Sequence, residues 1–179
     1  KRAIRMTQFV TSATSTQSPQ FEIGPASVDD FSTIRHVHSL AIRRILAASL
    51  SADDVNQLCA YVRTADYTAQ LMSREFLVAK VNGVTVGTIA WSPVQDGAGV
   101  ARISAHFVHP LYVGIGIGRA LLESAVEQAA SAGYPKCMAR VPLAAVSLYE
   151  NSGFATMSQG VAKDLAPSVT MHVAFMRRG

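Results

Sequence analysis

With 179 residues, 49% hydrophobic and 16% charged side chains, the chain has a globular rather than a disordered composition, and one domain is its simplest division. No apolar run approaches the ~20 residues of a membrane-spanning helix, and the net charge of +4 comes without the basic, aromatic-interleaved run of a nucleic-acid binder. The only cysteines, Cys59 and Cys137, lie far apart without metal-ligand spacing, so neither a disulfide framework nor a metal site is expected, and a reducing cytoplasm is the expected setting.

Residues 1–20 begin basic and continue rich in Ser, Thr and Gln, which reads as a flexible tail ahead of a domain over 21–179. A short strand is expected over 21–26. Ser27 with Asp30 is a capping pair, and Phe31, Ile34, His38, Ala41, Ile42 and Ile45 follow at helical spacing. Ser51 with Asp54 caps a second helix striped by Val55, Leu58, Cys59 and Val62, which residues 67–73 continue or restart. His38 falls in the apolar stripe and reads as a core histidine, whereas His36 points away from it. Asp53 and Asp54 read as first-turn acids favoured by the helix dipole, with an acceptor-ammonium role as the alternative. Residues 75–81 and 84–91 are β-rich, and Asn82-Gly83 between them is a hairpin signal. A loop over 92–99 then leads to a strand ending at Val108.

Next comes Val113-Gly114-Ile115-Gly116-Ile117-Gly118. Pro110 lacks an N–H and ends strand pairing, and glycines at alternate positions let the backbone turn tightly with its amides uncovered. Leu121, Leu122, Ala125, Val126, Ala129 and Ala130 then repeat at helical period up to the stop at Gly133. The start of a helix carries unpaired N–H groups and partial positive charge, so this turn is expected to hold an anion, most simply a phosphate. The dinucleotide pattern G-x-G-x-x-G fails because Arg119 stands where its third glycine belongs, and no Lys-Ser/Thr follows to make a nucleotide-triphosphate loop. Residues 136–141 read as a strand, 143–151 as a short helix closed by Gly153, and 154–159 and 169–177 as two final strands.

The glycine turn resembles motif A of the GCN5-related N-acetyltransferases, [QR]-x-x-G-x-[GA], with Val113 at the Gln/Arg position. Ala145-Val146-Ser147-Leu148-Tyr149-Glu150-Asn151-Ser152-Gly153-Phe154 resembles that family's A-x-x-[LF]-Y-x-x-x-G-F at the expected distance downstream, although Pro142 and Leu143 occupy a region where relatives often carry an asparagine. The resemblance implies a single α/β domain built on a mixed, mostly antiparallel sheet flanked by helices, with acetyl-CoA in a V between the fourth and fifth strands. It implies that the backbone at His106, Phe107 and Val108 holds the pantetheine arm and acetyl carbonyl. It further implies that the amides of Val113, Gly114, Ile115, Gly116, Ile117 and Gly118 hold the pyrophosphate.

Arg119 stands where its charge meets the phosphates or simply solvent. Tyr149 matches a tyrosine that protonates the departing thiolate, and a phenol with an ordinary pKa of about 10 suits that role. Relatives place a Glu or His base where this chain has Arg102 or Ser104. His106 shares their strand parity and is the candidate base, with a water relay as the alternative. No Cys-His pair accompanies Cys137, so direct attack in a ternary complex is expected over an acetyl-enzyme. The function implied is acetylation of a primary amine of a small molecule. A non-catalytic acyl-CoA-binding module and a peptide or protein N-terminal acetyltransferase are the alternatives. Homodimers are common among relatives.

Overall fold

The computed structural model describes residues 20–166 and 168–179, without the side chains of Asp164 and Leu165, so the tail expected over 1–20 falls outside the described residues apart from Gln20. Seven strands form one sheet in the order β1-β2-β3-β4-β5-β7-β6. They are β1 (Glu22–Pro25), β2 (Glu75–Val81), β3 (Val84–Pro93), β4 (Val100–Val108), β5 (Lys136–Pro142), β6 (Ala155–Ala166) and β7 (Val169–Arg178). Neighbouring strands are antiparallel except β4 and β5, which are parallel and joined through a helix, as parallel neighbours require. The expected mixed, mostly antiparallel α/β architecture is therefore the one observed.

Strand alternation divides the helices between two faces. Leu77, Ala79, Val81, Ile103, Ala139 and Met176 point to one face, where α4 (Ile117–Ser131) and the short α5 (Val146–Glu150) pack on them. Phe76, Val78 and Ala90 point to the other, against Ile34 of α1 (Phe31–Arg44) and Leu71 of α3 (Ala65–Met72). Between those two helices in sequence comes α2 (Ala52–Tyr61), whose Val55, Leu58 and Cys59 pack with Ile42 of α1 and Val169 of β7. The approach of α4 to β3 depends on Gly87. A Cβ there would stand 2.9 Å from Ile117 Cγ2 and 2.9 Å from Leu121 Cδ1.

Local signals explain most boundaries. The Asp30 carboxylate accepts from the Ser27 N–H and hydroxyl, each at 2.8 Å, and also pairs with Lys80 at 2.8 Å, tying the start of α1 to β2. Asn82 and Gly83 both have positive φ, as the hairpin signal requires. The alternatives left for residues 67–73 resolve as a restart, because the Thr64 hydroxyl accepts from the Tyr67 N–H and caps a new helix.

Three expectations are corrected. Ile45 and Ala130, counted in their helices' apolar stripes, are exposed, since Ile45 lies past the end of α1 and Ala130 turns off the buried face of α4. The sixth strand, expected over 154–159, runs on to Ala166 because it pairs with β7 along nearly its whole length.

Candidate active site

The candidate site lies where β4 and β5 part. Their pairing runs from Val100↔Lys136 to Ile103↔Ala139, whereas β4 itself continues to Val108. Next to the last pair the register of β4 on β3 slips between Thr88 and Ala90, and Ala105 takes a left-handed φ of 50°. This is a β-bulge: an extra residue bends the strand and re-aims the side chains beyond it.

The bulge overturns one expectation. Simple alternation places His106 on the same face as Arg102 and Ser104. Instead Ala105 packs beside Ala90 and Phe76 on the α1/α3 side, and His106 turns to the α4/α5 side. Two consecutive residues, Ser104 and Ala105, spend themselves on one face, so parity reverses beyond them.

A buried line of hydrogen bonds fixes the bulge. The Thr88 hydroxyl donates its single proton to the Ala105 carbonyl at 2.8 Å. It must therefore accept from His38 Nε2–H, also at 2.8 Å, which leaves His38 Nδ1 to accept from the Tyr67 hydroxyl at 2.7 Å. His38 and Thr88 are both wholly buried, and burial lowers the His38 pKa to about 3, so the ring is neutral in this line. His38 is the core histidine its stripe position indicated. Its link to β4 through Thr88 had no signature in the sequence.

On the other face, His106 joins three elements. The Gly118 carbonyl can only accept, so His106 Nε2–H donates to it at 3.0 Å, and Nδ1 then accepts the Tyr149 hydroxyl proton at 3.0 Å. Burial pushes the His106 pKa down to about 4 against the opposing bond to Gly118. Burial likewise raises the Tyr149 phenol well above its usual range, so it stays protonated at neutral pH. Tyr149 comes from α5, whose single turn packs it edge-on to Phe154 at 5.1 Å.

At the start of α4, Gly114 and Gly116 have φ of 89° and 95°. A Cβ on either would meet nothing within 4 Å, so space is open around this turn. The first intrahelical bond of α4 is Ala120 N–H to Gly116 O, which leaves the N–H groups of Ile117, Gly118 and Arg119 ahead of it. Ile117 is buried and anchors the turn, Ile115 is half-buried, and Val113 stands exposed. Phe107 packs on His38 with ring centres 4.3 Å apart, while Val108 borders Gly118. Arg119 pairs with Glu123 at 2.8 Å on the surface. His109 accepts from the Leu111 N–H in its own loop, and Cys137 is buried in the core.

The arrangement offers a ring of uncovered amides at a helix start, an opened strand edge, and a buried protonated phenol between them. Residues 46–175 match the family described as the acetyltransferase (GNAT) domain, and the chain belongs to that family. Solved structures of similar fold include a GCN5-related N-acetyltransferase from Rhodopseudomonas palustris, with TM-score 0.77 and 18% identity over 88% of this chain and 94% of that one. The PaiA N-acetyltransferase of Thermoplasma acidophilum, in complex with coenzyme A, has TM-score 0.72 and 19% identity over 89% and 98%. YncA of Salmonella typhimurium, a putative acetyltransferase with its cofactor acetyl-CoA, has TM-score 0.63 and 22% identity over 88% and 92%. No curated protein matches the sequence.

Proposed function

We propose that the protein is an acetyl-CoA-dependent N-acetyltransferase that moves an acetyl group to a primary amine by direct attack. The observation that carries this reading is the line from the Tyr149 hydroxyl through His106 to the Gly118 carbonyl, which ties a proton donor to the start of α4. The amides of residues 113–118 would receive the pyrophosphate of the cosubstrate, the partial positive charge of the helix start favouring it there. The β4 backbone at His106, Phe107 and Val108 would hold the pantetheine arm along the edge that β5 leaves open.

Three needs attend the chemistry: a neutral amine, a donor for the oxyanion, and a proton for the departing sulfur. Backbone N–H groups of the opened β4 edge serve as the oxyanion donor. As the thiolate departs, the Tyr149 O–H turns from His106 Nδ1 to the sulfur and gives it the phenolic proton, and the proton shed by the attacking nitrogen returns to the phenolate through water, so none is gained or lost overall. His106 serves this step by orientation. With Nε2–H held by Gly118 and its pKa low, it is a weak base, and its Nδ1 fixes the position of the phenol oxygen before the O–H turns to the sulfur. Water is then the carrier of the amine's proton.

The test is turnover with saturating acetyl-CoA, followed as free thiol released against a panel of amines. Tyr149→Phe should lower kcat by about 10²–10³-fold while leaving the calorimetric affinity for coenzyme A within a few-fold. Coenzyme A binding with no amine-dependent thiol release from the unaltered protein would instead favour a non-catalytic acyl-CoA-binding role.

A further inference from the structure

The sheet face opposite α4 carries positive charge that the mechanism does not use. Arg74, half-buried just ahead of β2, donates from Nη1 to the Ser104 hydroxyl at 3.3 Å. Ser104 is the residue directly before the bulge and directly after the last β4–β5 pair, so this guanidinium sits at the vertex of the opening. On the same face the register sets Arg102 beside Met138, and Met138 beside Arg177. Among the described residues the ion pairs are Lys80–Asp30 and Arg119–Glu123, so Arg74, Arg102 and Arg177 have no carboxylate within 4.0 Å. Arg74 itself lines a shallow, mainly apolar concavity of ≈ 250 Å³ together with Phe31, Leu71, Met72 and Phe76.

A guanidinium carries five donors in a fork that matches a carboxylate, and drawing it half out of water without an anionic partner is unfavourable. β4 and β5 pair only as far as Ile103↔Ala139, so Ser104, with Arg74 on it, stands at the point where the two strands part, on the face opposite α4. If an acyl thioester enters from the α4 side, an amine approaching from the opposite face meets Arg74 first.

We propose that the acceptor is an amine that also bears a carboxylate, an amino-acid-type molecule, with Arg74 binding the carboxylate and Arg102 reinforcing its field. This assignment rests on the acetyltransferase reading above and narrows its substrate class. The Ser104 hydroxyl holds the guanidinium at the opening, and the apolar concavity offers room for a hydrophobic side chain.

The experiment compares acceptors that share a skeleton and differ only in the anion: free amino acids, their carboxamides, and the corresponding decarboxylated amines. Thiol release by the unaltered protein should favour the carboxylate series by about 100-fold in kcat/KM. Arg74→Ala should remove that preference chiefly by raising KM for carboxylate-bearing acceptors, and Arg74→Lys should restore part of it. Calorimetric affinity for coenzyme A and the melting temperature of both variants should stay near those of the unaltered protein, which separates a binding role from a folding one. Equal use of the three series, or an Arg74→Ala variant that keeps the preference, overturns this assignment while leaving the acetyltransferase reading intact. Absence of thiol release from every series overturns both.

Discussion

Thr88 shows how much one hydroxyl can decide. It accepts from His38 and donates to Ala105, so it connects the core of α1 to the strained peptide that opens β4. A valine has the same shape and neither function. Thr88→Val would leave a buried His38 N–H and a buried carbonyl without partners, and is expected to cost about 2–3 kcal/mol in equilibrium denaturation. Thr88→Ser, which retains the hydroxyl, should cost clearly less. Because the bulge would relax toward regular pairing, Thr88→Val should also raise KM for acetyl-CoA more than Thr88→Ser does. At this scale Tyr149 was legible, since its motif fixes its position on a short helix. The neighbouring His106 was legible as a residue of β4 near the glycine turn but not in its orientation, because a bulge at an alanine announces itself by no residue type.

Elements constrain one another by distance of approach. Helix α4 reaches the sheet only where Gly87 leaves room, and the same helix carries the amides of the glycine turn at its start. In Gly87→Ala the new methyl would press on Ile117 and Leu121, both fully buried branched side chains with little freedom to yield. The expected outcome is a loss of about 1–3 kcal/mol in urea denaturation together with weaker coenzyme A binding by calorimetry, since the start of the helix must shift with Ile117. Gly114 and Gly116 answer a different requirement. Space around them is open, and it is their positive φ that favours glycine. That torsional need was readable from alternate glycines before a helical stripe. The need at Gly87 was not, because a partner 30 residues downstream creates it.

For the molecule as a whole, buried neutral histidines couple stability to pH. His38 and His106 titrate near 3 and 4 when folded, against 6.5 for a free imidazole. Between those values the unfolded chain binds protons that the folded chain does not, so acidification favours unfolding. Stability should be fully present above pH 6.5 and decline as pH falls toward 4, by up to about 1.4 kcal/mol per pH unit for each histidine. Asp30 adds to the acid side. Its burial opposes ionisation, but Lys80, Ser27 and Thr85 outweigh that and hold its pKa at about 2 against 3.8 for a free carboxyl, so its contribution is lost below that free value. Denaturation midpoints measured from pH 8 to 4 should trace this decline, and His106→Asn, which keeps a polar side chain but cannot titrate, should make it shallower by the His106 share while the His38 share remains.

Taken by themselves, the residues were enough to define the elements and the two motifs, because caps, hairpin turns and apolar periodicity are local properties that neighbours in sequence enforce; the mixed sheet was expected only from the family those motifs resemble. The family followed from the same local patterns at the right spacing. Folding in three dimensions alone settled which way His106 faces, what supports the bulge, and where Arg74 ends up. Each of those depends on contacts between residues 12 to 50 positions apart, Gly118 with His106, Arg74 with Ser104, His38 with Thr88. No local preference carries that information, since a hydrogen bond between distant strands is specified only once both strands have found their register.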